Sequence, residues 1–145
     1  MTTYTHDDAG ALVRISGRDA ALVSNVFNAR GLLAATRQGG FDRFFAYDDL
    51  GRVERDTAGF SRFVYGYDSD RAGAHAKGRL SQIDEQVFDF SGGGWRTTAT
   101  TTLAYDALGR TTNETRTEAG GAVSFATDYT YNPNGRLLSM TYPQN

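Results

Sequence analysis

The 145-residue sequence contains no cysteine, which excludes disulfides and thiolate metal sites outright. Histidine is nearly missing as well: His6 and His75 are too few and too far apart for a histidine metal cage. No run approaches the ~18 consecutive apolar residues that read as a membrane-crossing helix. The start, Met1-Thr2-Thr3-Tyr4-Thr5-His6-Asp7, lacks a basic segment followed by an apolar one, so it does not read as a signal peptide. Neither sign of charge is in excess. Fifteen basic residues stand against 17 acidic ones, a net charge of -2, and no basic block offers a footprint for nucleic acid. Hydrophobic residues make up 39%, little for a compact core.

What is abundant is glycine, at 17 residues, together with 9 Phe and 8 Tyr. With threonine and valine this is the composition of strands and turns rather than helices. No stretch carries a helical pattern with caps at both ends; Asp19 to Ala29 comes nearest.

One phrase organises the rest. Tyr47-Asp48-Asp49-Leu50-Gly51-Arg52-Val53 returns as Tyr105-Asp106-Ala107-Leu108-Gly109-Arg110-Thr111 and as Tyr131-Asn132-Pro133-Asn134-Gly135-Arg136-Leu137. Weaker copies are His6-Asp7-Asp8-Ala9-Gly10-Ala11-Leu12 and Phe27-Asn28-Ala29-Arg30-Gly31-Leu32-Leu33. A sixth begins at Tyr67-Asp68, is interrupted by Ser69 to Lys77, and resumes at Gly78-Arg79-Leu80. Recurrence at intervals of tens of residues is the mark of a repeat array. The 69–77 insert has the composition of a surface loop, with His75 in solvent.

The phrase has a physical reading. An Asx residue, two free positions and a glycine form a type I turn, and Pro133 suits its second position. Glycine in the left-handed conformation then ends the turn in a bulge that reverses one strand into an antiparallel neighbour. The Asx side chain bonds backbone N–H groups beyond it. Each phrase is therefore expected to be a hairpin tip.

The segments between tips should be strands. Val123, Phe125, Thr127, Tyr129 and Tyr131 alternate with Ser124, Ala126, Asp128 and Thr130; Trp95 to Tyr105 and Phe63-Tyr65-Tyr67 behave likewise. This period of two marks a sheet with one face more apolar than the other. Second reversals are expected at Arg37-Gln38-Gly39-Gly40, Asp56-Thr57-Ala58-Gly59, Ser91 to Gly94 and Glu118-Ala119-Gly120-Gly121. The expectation is an all-β chain: one array over 1–145, a long curved meander of antiparallel hairpins with tips near 6–12, 27–33, 47–53, 67–80, 105–111 and 131–137.

The Tyr-Asp-x-x-Gly-Arg phrase, with a second tyrosine two positions earlier in Tyr65/Tyr67 and Tyr129/Tyr131, resembles the YD repeat of Rhs proteins. That family includes the cocoon-forming subunits of bacterial Tc toxins and the teneurin shell. The resemblance covers the chain from about Tyr4 to Tyr142. It implies a sheet that spirals into a hollow shell and, in the Rhs and Tc members, encloses a toxic C-terminal domain. The His6 and Phe27 copies depart from it by lacking the arginine, and the Tyr67 copy by its insert.

The resemblance implies a segment of shell wall, secreted or at the cell surface within a larger bacterial protein, with neighbouring repeats and a protein cargo as partners. The alternative is a module that binds carbohydrate or a cell-surface partner through exposed aromatics, Trp95 among them. The phase of Trp95 with Thr97 and Leu103 favours packing instead. Tyr47 with Arg52, Tyr105 with Arg110, and Tyr131 with Arg136 are expected to clasp across each tip as cation–π pairs. The carboxylates Asp7, Asp48, Asp68 and Asp106 are accounted for as turn starters. Asp68, Asp70 and Asp84 lack the ligand spacing of a calcium loop. No serine lies in a nucleophile elbow, and Gly92-Gly93-Gly94 lacks the Lys-Ser/Thr of a phosphate loop. Neither enzymatic activity nor a cofactor is expected. The outer strands should present open edges through which isolated chains associate.

Overall fold

The computed structural model describes residues 1–17, 22–121 and 123–143. Among them there is no helix, and twelve strands follow one another: β1 (Thr2–His6), β2 (Leu12–Gly17), β3 (Val23–Phe27), β4 (Leu33–Gln38), β5 (Phe41–Tyr47), β6 (Val53–Ala58), β7 (Ser61–Tyr67), β8 (Leu80–Asp89), β9 (Gly94–Tyr105), β10 (Thr111–Glu118), β11 (Ser124–Tyr131) and β12 (Leu137–Thr141). Each strand's neighbours in the sheet are its neighbours in sequence. The fold is an all-β open antiparallel meander. The stretch that came nearest to a helix holds β3; its residues 19–21 lie outside the described residues. The chain divides into two compact units, Met1–Arg62 and Phe63–Asn145.

In the first unit β1 to β6 pair in turn. In the second, β8 pairs β9, β9 pairs β10, β10 pairs β11 and β11 pairs β12. Every hairpin that carries an uninterrupted phrase has a register irregularity at the tip: Thr5/His6, Val26/Phe27, Ala46/Tyr47, Thr111/Asn113 and Thr130/Tyr131. The cause is local. The phrase leaves one more residue on the outgoing side than the ladder can pair, so a bulge absorbs it.

The buried apolar residues described are only alanines: Ala35, Ala74, Ala76 and Ala99. Among the described residues no large side chain is fully buried, as expected where a sheet supplies its own cover. Ala99 shows how such cover is made. Glu85 and Glu118 lie beside it on the flanking strands. Arg116 reaches across to both carboxylates, bonding Glu118 Oε1 from Nε at 2.9 Å and both Glu85 oxygens through its two terminal nitrogens. The small side chain lies between these neighbours.

The insert is the surface loop expected from its composition, with most of its residues exposed, but two of its alanines pack inward. His75 is exposed, but Ala74 and Ala76 on either side are each only 1% exposed. The backbone N–H of Tyr105 donates to the Ala74 carbonyl at 2.8 Å, and Arg71 Nη2 to the Leu103 carbonyl at 3.1 Å. The end of β9 gives the insert backbone groups to bond, and small alanines let it come close. Ala76→Leu should therefore cost about 1–3 kcal/mol by overpacking, whereas a solvated loop would tolerate it. Urea unfolding of the two proteins measures the difference.

Candidate functional site

The six phrases share one backbone device. The N–H of the Asx residue donates to the carbonyl of the sixth position, as in Asp48 to Arg52 and Asp106 to Arg110 at 2.9 Å. The same bond closes the Asp7, Asn28 and Asn132 tips, and across the insert it joins Asp68 to Arg79 at 3.1 Å. Within it the glycine N–H returns to the Asx carbonyl at 2.9–3.0 Å in the five unbroken copies. Gly51, Gly109 and Gly135 have φ of 82°, 85° and 81°, where a Cβ is disfavoured. The Asx side-chain oxygen accepts the sixth-position N–H: Ala11, Leu32, Arg52, Arg110 and Arg136 at 2.8–3.0 Å. The interrupted copy keeps part of this cap, because Asp68 Oδ1 accepts the Gly78 N–H.

The tyrosine and arginine are arranged differently from the clasp expected within each tip. Arg110 lies over the ring of Tyr131, 4.6 Å from its centroid, and Arg79 over Tyr105 at 5.6 Å. In both cases the arginine comes from the preceding phrase. The closure of the turn explains the difference. Across the hairpin the tyrosine faces the seventh position, as in Tyr47 with Val53, Tyr105 with Thr111 and Tyr131 with Leu137. The unpaired bulge residue is the eighth (Glu54, Thr112 and Leu138), and the sixth closes the turn, its carbonyl accepting the Asx N–H. The Nε of that sixth residue is drawn to the Asx carboxylate of its own turn, Arg52 to Asp48 at 2.7 Å and Arg110 to Asp106 at 2.6 Å. The rest of the guanidinium of Arg110 then extends to the neighbouring tip.

Each tyrosine hydroxyl completes the link in the other direction. Tyr47 donates to the Leu33 carbonyl at 2.8 Å, Tyr105 to that of Leu80 at 2.7 Å, and Tyr131 to that of Thr111 at 2.7 Å. All three acceptors are the seventh position of the preceding phrase. The β4–β5 ladder ends at Ala35 and the β10–β11 ladder at Asn113, so Leu33 and Thr111 lie beyond the last rung. The hydroxyl satisfies a carbonyl that the sheet leaves behind.

The motif glycine has a second duty. A Cβ on Gly109 would stand 2.8 Å from Arg79 Nε and 2.9 Å from its Cζ. On Gly51 it would be 3.2 Å from Arg30 Nη2, and on Gly135 3.9 Å from Arg110 Nη1. The glycine thus leaves a seat for the preceding tip's arginine. Where the guanidinium lies against the next tip it also bonds the turn backbone: Arg30 to the carbonyls of Asp48 (2.9 Å) and Asp49 (3.2 Å), and Arg110 to that of Asn132 (3.3 Å).

The Phe27 copy keeps the link by substitution. The Phe27 phrase lacks an arginine at its sixth position, and Arg30 supplies one from the fourth. Phe27 also lacks a hydroxyl, and Asn25, two residues earlier, donates from Nδ2 to the Leu12 carbonyl at 2.9 Å. Sequence reasoning missed both. The available signal was an arginine at the fourth position of a phrase whose sixth position carries none.

The remaining candidates have ordinary surroundings. Trp95 stands edge-on to Phe88, centroids 5.6 Å apart at 81°, and Phe88 meets Phe90 similarly at 5.1 Å. Tyr65 tilts against Phe63 at 6.5 Å, and Tyr129 faces Met140 across the strands. Asp84 is engaged by Gln82 Nε2 and Thr100 Oγ1. Among the described residues no group of three His, Cys, Asp or Glu side chains is close enough to hold a metal ion.

Electrostatics follow the turns. Asp106 is held below the usual carboxylate range by the Arg110 backbone N–H and then its guanidinium. Asp89 is lowered by the N–H groups of Gly92 and Ser91, and Glu85 by its bond to Arg116. A carboxylate with a depressed folded-state value contributes stability above its unfolded value of about 4, and that contribution disappears as pH falls through the folded value. Stability should therefore fall as pH drops below about 4. Urea midpoints at pH 7, 5, 4 and 3 measure this; a midpoint that rose on acidification would contradict the assignment.

Comparison with known proteins places this geometry. Residues 105–145, the stretch with the Tyr105 and Tyr131 phrases, match the family model described as RHS Repeat. No curated protein matches the sequence. Among solved structures, the crystal structure of TcdB2-TccC3 without its hypervariable C-terminal region is similar with a TM-score of 0.68 and 16% identity. That likeness covers 94% of this chain and 8% of that one. A second structure, of TcdB2-TccC3, gives 0.64 and 15%, covering 88% and 7%. The chain thus spans under a tenth of the length of the proteins whose fold it shares.

Proposed function

We propose that this is an RHS/YD-repeat chain and a structural element, a stretch of wall in a β-sheet shell that encloses a protein cargo. The observation that carries this reading is the link between successive tips. Tyr hydroxyl to backbone carbonyl, and Arg to the next ring and turn, tie repeat to repeat. Binding chemistry would be concentrated at one place; here related contacts recur at the Tyr47, Tyr105 and Tyr131 tips. Repeats of this kind cannot bury their apolar faces alone and depend on their neighbours.

The cargo we propose is a toxin domain within a larger secreted bacterial protein. The supporting facts are the fold shared with TcdB2-TccC3 and the hypervariable C-terminal region named for that protein. The wall would act by excluding solvent and proteases, with no catalytic step of its own. In this reading 1–145 is one array, and the tip residues Tyr47, Asp48, Gly51, Arg52, Tyr105, Asp106, Gly109, Arg110, Tyr131 and Gly135 serve register rather than ligand binding.

The test is limited proteolysis of the complete polypeptide that carries this sequence. A protected domain outside the repeats, which becomes sensitive once the repeats are unfolded, is the expected result. A repeat region with every other domain freely cleaved would overturn the proposal. Binding of the folded chain to a glycan array, lost on Trp95→Ala, would favour the carbohydrate module instead.

A further inference from the structure

One hairpin departs from the regular array, and it is flanked on both sides by strands of the same chain. β8 and β9, with 10 and 12 residues, are the longest of the twelve strands, beside 7 in β7 and 8 in β10. Tyr67 and Tyr105 are accordingly 38 positions apart, against 20 from Tyr47 to Tyr67 and 26 from Tyr105 to Tyr131. The β9–β10 ladder stops at Ala99–Glu118. The β8–β9 ladder runs on through Val87–Arg96 and Phe88–Trp95 to Asp89–Gly94. Extra residues in one repeat of an array often serve binding.

The end of this hairpin is apolar on one face. The Phe88 and Trp95 rings meet edge-on across the strands, 5.6 Å between centroids, and Phe90 meets Phe88 at 5.1 Å. Phe90 is 71% exposed. The polar groups of the turn point inward. Asp89 Oδ1 accepts the N–H groups of Ser91 at 2.9 Å and Gly92 at 3.2 Å, and the Gly93 N–H donates to the Asp89 carbonyl at 2.9 Å. Three consecutive amides thus have partners within the turn, so the end enters an apolar medium without leaving those donors bare. Arg96 is exposed and, one residue after Trp95, belongs to the opposite face.

We propose that this hairpin end docks on a lipid surface, with the Phe88, Phe90 and Trp95 rings at the boundary between headgroups and acyl chains. Tryptophan is favoured at that boundary, where its apolar ring is covered while its N–H stays wet. Phenylalanine adds apolar area to cover. Arg96 supplies a cation for the lipid phosphates and an attraction to an anionic surface. A protein pocket would call for directed polar contacts, whereas the Ser91, Gly92 and Gly93 amides are directed into their own turn. The contact lies within one hairpin, so it holds for a shell wall and for any other sheet that carries it.

Trp95 is the chain's one tryptophan, so its emission reports on this place alone. The test mixes the 145-residue chain with vesicles of phosphatidylcholine, or of phosphatidylcholine and phosphatidylglycerol at three to one, and floats them through a density gradient. Flotation is expected with both, with Trp95 emission moved to shorter wavelength and less quenched by acrylamide. Phe90→Ser should weaken partitioning at least about tenfold, and Phe90→Leu by no more than about threefold. Phe60→Ser removes a ring that is 66% exposed at a shorter reversal, and should change partitioning less than about twofold. Arg96→Gln should cost about fivefold on the phosphatidylglycerol mixture and nothing on phosphatidylcholine. No flotation, flotation without a change at Trp95, or equal losses from Phe60→Ser and Phe90→Ser would overturn the proposal. So would a Trp95 shielded from acrylamide only within the complete polypeptide, which would assign the hairpin to a protein contact.

Discussion

Gly109→Ala is expected to destabilise the chain by about 1 kcal/mol more than Gly120→Ala, although the two glycines share nearly the same backbone conformation. Their φ angles are 85° and 87°. Each substitution therefore carries the same cost of forcing a Cβ into the left-handed region, roughly 1–2 kcal/mol. At Gly120 nothing lies within 4 Å of the new atom. At Gly109 the Arg79 guanidinium occupies the space, so it must move off its seat and away from the Tyr105 ring. The surplus is the stacking energy lost. Urea unfolding of both variants, with Arg79→Ala as background, measures it. Equal costs would show that the guanidinium yields freely and that the seat contributes nothing.

Tyr105→Ala should have a larger effect, a loss of about 3–4 kcal/mol, against about 1 kcal/mol for Tyr105→Phe. The ring is partly buried and supports Arg79; its hydroxyl satisfies the Leu80 carbonyl at 2.7 Å. Burial raises the pKa of that hydroxyl, the Arg79 charge opposing it, so the group stays a donor at neutral pH. Phenylalanine keeps the ring and orphans one carbonyl. Alanine removes the ring and leaves a cavity, so the large step lies between Phe and Ala. If Phe and Ala proved equally destabilising, the hydroxyl bond alone would be the link.

Much of this was legible in the residues, because the tip is a local structure. The Asx residue, the glycine at φ near 80° and the bulge depend on neighbours within six positions, and they can be read from one phrase. Strand order followed from the tips, since a meander has no other way to connect them. The partner of each arginine could not be read in this way. It lies about twenty residues on, and it depends on the turn's closing pair, which turns the sixth residue toward the neighbouring tip. Arg110 over Tyr131 is a contact between repeats, and reasoning from a single hairpin put it inside one. The anchoring of the insert could not be read for a related reason. Its alanines look like loop filler, yet the bond from the Tyr105 N–H to Ala74 ties the loop to the end of a strand thirty residues away.

The most direct measurement of the link between repeats is a pair of double-mutant cycles on Arg110. One combines Arg110→Ala with Tyr131→Leu, across phrases; the other combines it with Tyr105→Leu, within a phrase. Coupling of about 0.5–1.5 kcal/mol is expected for Arg110 with Tyr131, and none beyond about 0.3 kcal/mol for Arg110 with Tyr105. Coupling confined to Arg110 and Tyr105 would contradict the account and return the arginine to its own hairpin.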